Sequence, residues 1–134
     1  MTLPASRIYN DGGAMVSTVG THPKVTQNGY KNLYRIIASD TQIGSNMATY
    51  AANVLKVKKV AVVDDRTAFG QGVADEFTKE AKKLGLTVVG QEFTTDKSVD
   101  FLSILTSLKA KQPAAIFFGG YAPQAAPMAR QMKQ

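Results

Sequence analysis

Apolar positions along this chain switch between two periods. Val60-Ala61-Val62-Val63 is a continuous apolar run that stops at Asp64-Asp65. After a short turn, Phe69, Val73, Phe77, Ala81 and Leu84 recur at helical spacing, with Gln71, Asp75, Glu76, Lys79 and Lys83 on the other face. The pattern predicts a buried strand over 59–64 feeding a helix over 70–84, with Gly85 as its C-cap. Leu86-Thr87-Val88-Val89 opens a strand over 86–91. Phe101, Leu102, Ile104, Leu105 and Leu108 mark a helix capped by Ser98 or Asp100. Ala114 to Phe118 is another continuous apolar strand, and a last helix begins near Pro123. If it starts there, Pro127 removes a hydrogen bond in its second turn, which predicts a later start or a kink.

Upstream, the pattern is weaker. Residues 4–10 predict a short helix, Ala14-Met15-Val16-Ser17 a short strand between turn signals, and Leu33-Tyr34-Arg35-Ile36-Ile37 another strand. Met47, Tyr50, Ala51, Val54 and Leu55 fall at helical spacing and predict the buried face of a helix. Strands alternating with helices of this length imply right-handed βαβ crossovers. The predicted fold is α/β, a parallel Rossmann-like sheet with helices on both faces. In such sheets ligands bind at the carboxyl ends of the strands. Phe69 and Tyr121 both follow strand ends and so share one rim; each also reads as an ordinary core or rim aromatic.

Composition narrows the function classes. The 134 residues, 44% hydrophobic, suffice for one modest domain. No apolar run is long enough for a membrane helix, and Met1 to Ser6 lacks the basic start and apolar core of a secretory signal. The absence of cysteine excludes disulfides, thiolate metal sites and cysteine nucleophiles. A formal charge of +6 raises nucleic acid as a partner. The lysines, however, cluster at helix ends and polar faces without interleaved aromatics, which argues for solubility and against base stacking.

Candidate chemistry is sparse. Gly70 and Gly72 suggest a phosphate loop, but the third small residue of the dinucleotide fingerprint is replaced by Asp75. Asp64 and Asp65 could hold a divalent cation only with a further carboxylate at a neighbouring strand end. They also read as loop-capping acids. His22 has no partner nearby in sequence, and Ser17, Thr18 and Thr21 lie in no nucleophile elbow. No catalytic, metal or cofactor site is expected. A nucleotide or phosphoacceptor module of Rossmann or receiver type stays as an alternative.

Three blocks carry a resemblance: Asp64-Asp65 with Ala68-Phe69-Gly70-Gln71-Gly72; Pro4 to Tyr9 with Ser17 to Pro23 and Thr26 to Tyr30; and Gly119-Gly120-Tyr121-Ala122-Pro123. Their order and spacing resemble the type 1 periplasmic ligand-binding proteins, in the branched-chain amino acid (Leu/Ile/Val) binding subgroup, and the chain looks like an internal piece of one. The resemblance implies two α/β lobes closing on a small amino acid or carboxylate, which is then delivered to an ABC permease. It places the protein in the periplasm or another extracytoplasmic space. Residues 1–39 would be the tail of the first lobe and 40–134 the start of the second. Val19 would accept from the ligand ammonium through its carbonyl, and Thr21 would donate to its carboxylate. Phe69 and Tyr121 would come from the second lobe. Phe69 stands where many relatives have tyrosine, which leaves apolar contact without a phenolic bond. The acid that pairs with the ammonium in the family is expected outside this chain. A sensor on the same fold is a further alternative. A truncated first lobe would expose apolar surface and favour homo-oligomers.

Overall fold

The computed structural model describes residues 2–133. The elements run α1 (Thr2–Tyr9), β1 (Met15–Ser17), α2 (Lys24–Gln27), β2 (Leu33–Arg35), α3 (Asp40–Asn53), β3 (Lys59–Asp64), α4 (Ala68–Lys83), β4 (Thr87–Phe93), α5 (Leu102–Ala110), β5 (Ala115–Gly119) and α6 (Ala122–Gln131). Two parallel sheets result. One is the pair β1–β2; the other has strand order β4-β3-β5.

The central strand explains the larger sheet. Every residue from Val60 to Val63 is buried, because β3 has a strand on either side and helices on both faces. Its side chains alternate between two cores. Val60 and Val62 join Ala48 and Ala51 of α3 and Ala74, Phe77 and Ala81 of α4. Ala61 and Val63 join Leu108 of α5, Met128 of α6 and Phe101. The expected doubly covered parallel sheet is what forms.

Four local readings need correction. The buried face of α3 is not Met47, Tyr50, Val54 and Leu55, which are 45–61% exposed. It is Asp40, Gly44, Ala48 and Ala51, a stripe of mostly small residues lying against α4. Small residues let two helices approach closely, and that packing outweighs the larger apolar residues on the adjacent face. Leu84, last in the predicted stripe of α4, is 39% exposed at the helix end, where Gly85 adopts a left-handed conformation (φ 79°). At α5 the N-cap is Phe101, although the Asp100 carboxylate accepts from the Leu102 N–H at 3.0 Å; Ser98 instead bonds Thr95. Finally, α6 starts at Ala122 and continues through Pro127 to Gln131.

Candidate functional site

The rim is built by two loops at the carboxyl end of the sheet. After β3, the Asp64 carboxylate accepts the Arg66 N–H at 2.9 Å and holds Arg66 at φ 60°. The Arg66 guanidinium lies 3.9 Å from the centre of the Phe93 ring, which ties the loop to the end of β4. Asp65 accepts from the Thr67 N–H and hydroxyl, and Thr67 caps α4 by accepting from the Gly70 N–H. Both acids are thus loop and cap ligands. Among the described residues no group of three or more His, Cys, Asp or Glu side chains is arranged to hold a metal.

Phe69 and Tyr121 meet across the two loops, with ring centroids 5.2 Å apart and planes inclined by 34°. They line a cleft of about 420 Å³ together with Val19, Thr21, Asp40 and Thr67; its other walls include α1 and His22. The cleft volume is in the range of small-molecule sites. All four residues proposed from the sequence, Val19, Thr21, Phe69 and Tyr121, therefore line one cavity. A second groove of about 390 Å³, between α5, β5 and α6, gathers none of them.

The side of the cleft that carries Val19 and Thr21 is held by backbone and cap contacts. The buried Ser17 hydroxyl accepts the Gly20 N–H at 3.0 Å. The Thr21 carbonyl accepts the Asp40 N–H at 2.9 Å, and the His22 carbonyl accepts from Arg35 at 3.2 Å. His22 Nδ1 accepts the Lys24 N–H, so its ring serves the entry to α2. Val19 is 80% exposed and Tyr121 50%, which leaves the cleft open to solvent.

Sequence reasoning missed Asp40. It is 1% exposed, and neither carboxylate oxygen has a hydrogen-bond partner. A side chain at Gly72 would strike its Oδ2, so α4 packs directly on it. A buried, unpaired carboxylate is costly, and its place in the first turn of α3 sets it in the favourable field of that helix's positive end. One signal was available. Ser39 and Gln42 form the Ser-x-x-Gln capping box that the structure contains, with reciprocal side-chain to backbone bonds. With the cap supplied by Ser39, Asp40 is left over.

The chain has relatives along its whole length. A family model described as periplasmic binding protein matches residues 2–134. The chain is 39% identical over 134 residues to a Pseudomonas aeruginosa "Amino acid binding protein", covering 99% of this chain and 36% of that one. It is 34% identical over 133 residues to the Brucella melitensis "Leu/Ile/Val-binding protein homolog 3", covering 98% of this chain and 36% of the relative. Among solved structures, the leucine-binding protein LivK of Thermotoga maritima superposes with a TM-score of 0.89 at 30% identity, covering 99% of this chain and 38% of that one. The chain thus spans little more than a third of the length of these relatives. With the parallel sheet, the two rim aromatics and a family match spanning all but its first residue, the chain belongs to the periplasmic binding protein family.

Proposed function

We propose that this chain is part of an extracytoplasmic solute-binding protein of an ABC transporter, and that the whole protein closes two lobes on a small amino acid. Residues 1–39 are the end of the first lobe and 40–134 the start of the second. The observation that carries the reading is the single cleft that joins Val19 and Thr21 to Phe69 and Tyr121, with Asp40 unpaired in its wall. An amino acid gives up hydration at both charged ends on entering such a cleft, and each end needs a matched partner. The Thr21 hydroxyl and the Val19 carbonyl offer one donor and one acceptor. The carboxylate of Asp40 offers the ammonium a counter-charge that the sequence reading expected only beyond this chain. Phe69 and Tyr121 supply apolar faces for an aliphatic side chain. No catalysis is proposed, and the partner of the whole protein is a permease. A sensor built on the same fold would use the same cleft.

Calorimetry on the full-length protein tests this. Leucine is expected to bind, and Tyr121→Ala to weaken it by about 1–3 kcal/mol, through loss of the apolar face that closure buries against the ligand. The isolated chain is expected to bind at millimolar strength or weaker, because its cleft is open and hydration screens the charged contacts. Micromolar binding by the isolated chain would show the cleft to be complete without further lobes. Unchanged affinity in Tyr121→Ala would remove that residue from the site.

The isolated chain is also expected to self-associate. Its two-stranded sheet carries Val16, Tyr34 and, just beyond β2, Ile36, all more than half exposed. Short unpaired edges with apolar faces recruit other chains. A monodisperse monomer by light scattering at tens of micromolar would count against it.

A further inference from the structure

We infer that Asp65 is a positioning residue that, with Gly70, Gly119 and Gly120, sets the gap between Phe69 and Tyr121. The functional consequence rests on the ligand-binding reading above; the geometry does not. Each aromatic is the chain neighbour of one of these glycines, Phe69 before Gly70 and Tyr121 after Gly120. The two loops touch backbone to backbone at this point. The Asp65 N–H donates to the Gly119 carbonyl at 3.0 Å. A Cβ at Gly70 would lie 2.6 Å from that same carbonyl oxygen, so no other residue fits without separating the loops.

The Asp65 side chain completes the clamp. Its Oδ1 accepts from the Thr67 N–H at 3.0 Å and from the Thr67 hydroxyl at 2.6 Å. That hydroxyl in turn accepts the Gly70 N–H at 3.0 Å. The carboxylate therefore fixes the first turn of α4 through one oxygen. The other oxygen faces the second loop: a Cβ at Gly120 would lie 2.9 Å from Oδ2. Asp65 is 2% exposed and Oδ2 has no hydrogen-bond partner. Asparagine could accept the Thr67 bonds equally well, so the turn alone does not require a charge. The charge lies between two helix starts, two residues before the N-cap of α4 and against the residue preceding Tyr121, the N-cap of α6, which has no side-chain cap. One carboxylate thus attracts the positive ends of both helices and draws together the loops that carry the two rings.

The test uses NMR of this chain and leucine calorimetry of the full-length protein. In Asp65→Asn the Phe69 and Tyr121 ring resonances are expected to lose part of their mutual ring-current shift, and leucine affinity to fall several-fold. Unmoved rings with lowered stability would overturn the proposal and make Asp65 a purely structural residue. Moved rings with unchanged affinity would uphold the clamp and instead refute the binding role of the aromatic pair. Should Asp65→Asn fail to fold, Thr67 gives the same answer. Thr67→Val breaks the hydroxyl bridge and is expected to move the rings, whereas Thr67→Ser keeps it and leaves them in place. Equal spectra for the two would overturn the proposal.

Discussion

Asp40→Asn in the full-length protein is expected to bind leucine roughly ten- to a hundredfold more weakly while the ligand-free protein melts a few degrees higher. The two effects share one cause. Without ligand, the Asp40 carboxylate is buried with both oxygens unpaired. Desolvation of such a charge costs several kcal/mol, against about 0.3–1 kcal/mol returned by the α3 dipole. Asparagine removes the charge, so the empty protein gains stability. With an amino acid bound, the buried carboxylate backs the wall that its ammonium faces, and opposite charges about 7 Å apart attract by about 2 kcal/mol at an effective dielectric of about 20. Asparagine loses that term. A carboxylic acid without an amine should bind the variant no worse than the original. Calorimetry and a thermal melt on the same sample decide the matter. A lowered melting temperature with unchanged leucine affinity would make Asp40 a structural residue and remove it from the site.

The elements from β3 onward were legible because their patterns are unambiguous. Val60 to Val63 can be buried on both faces only in a central strand, and the stripe Val73, Phe77 and Ala81 can face a sheet only as a helix. The sharing of one rim by Phe69 and Tyr121 followed from strand direction alone. What stayed hidden was decided by packing. In and just after α3 the bulky apolar residues Met47, Tyr50 and Val54 fall at helical spacing, and periodicity favours the face they share. The helix nevertheless turns Gly44, Ala48 and Ala51 to α4, since close approach depends on size, which a hydrophobicity pattern does not record. Asp40 was hidden for a related reason. An acid in the first turn of a helix reads as a favourable terminal charge on the surface, and nothing local reveals that α4 covers it. The Asp65 clamp needs contacts between residues 65, 70 and 119, a pairing set by the β3–β5 register and absent from any short window.

Phe77→Ala is expected to cost about 3–5 kcal/mol, enough to unfold the isolated chain or bring it close to unfolding. Phe77 is 2% exposed and stacks on Phe117 of β5, with centroids 4.1 Å apart and planes inclined by 6°. It sits where α3, α4 and the sheet converge, so its removal leaves a cavity that three elements would have to move together to fill. Domains of this size are stable by about 5–15 kcal/mol. This chain should lie near the lower bound, because its larger sheet has only three strands and its smaller one only two. Tyr50→Ala is the matched control. Tyr50 is 48% exposed on the outer face of α3, and its loss should change stability by about 0.5 kcal/mol or less. Urea unfolding followed by circular dichroism separates the two. A Phe77→Ala midpoint no lower than that of Tyr50→Ala would mean that the core between α4 and the sheet is not what holds the three-stranded sheet and its helices together.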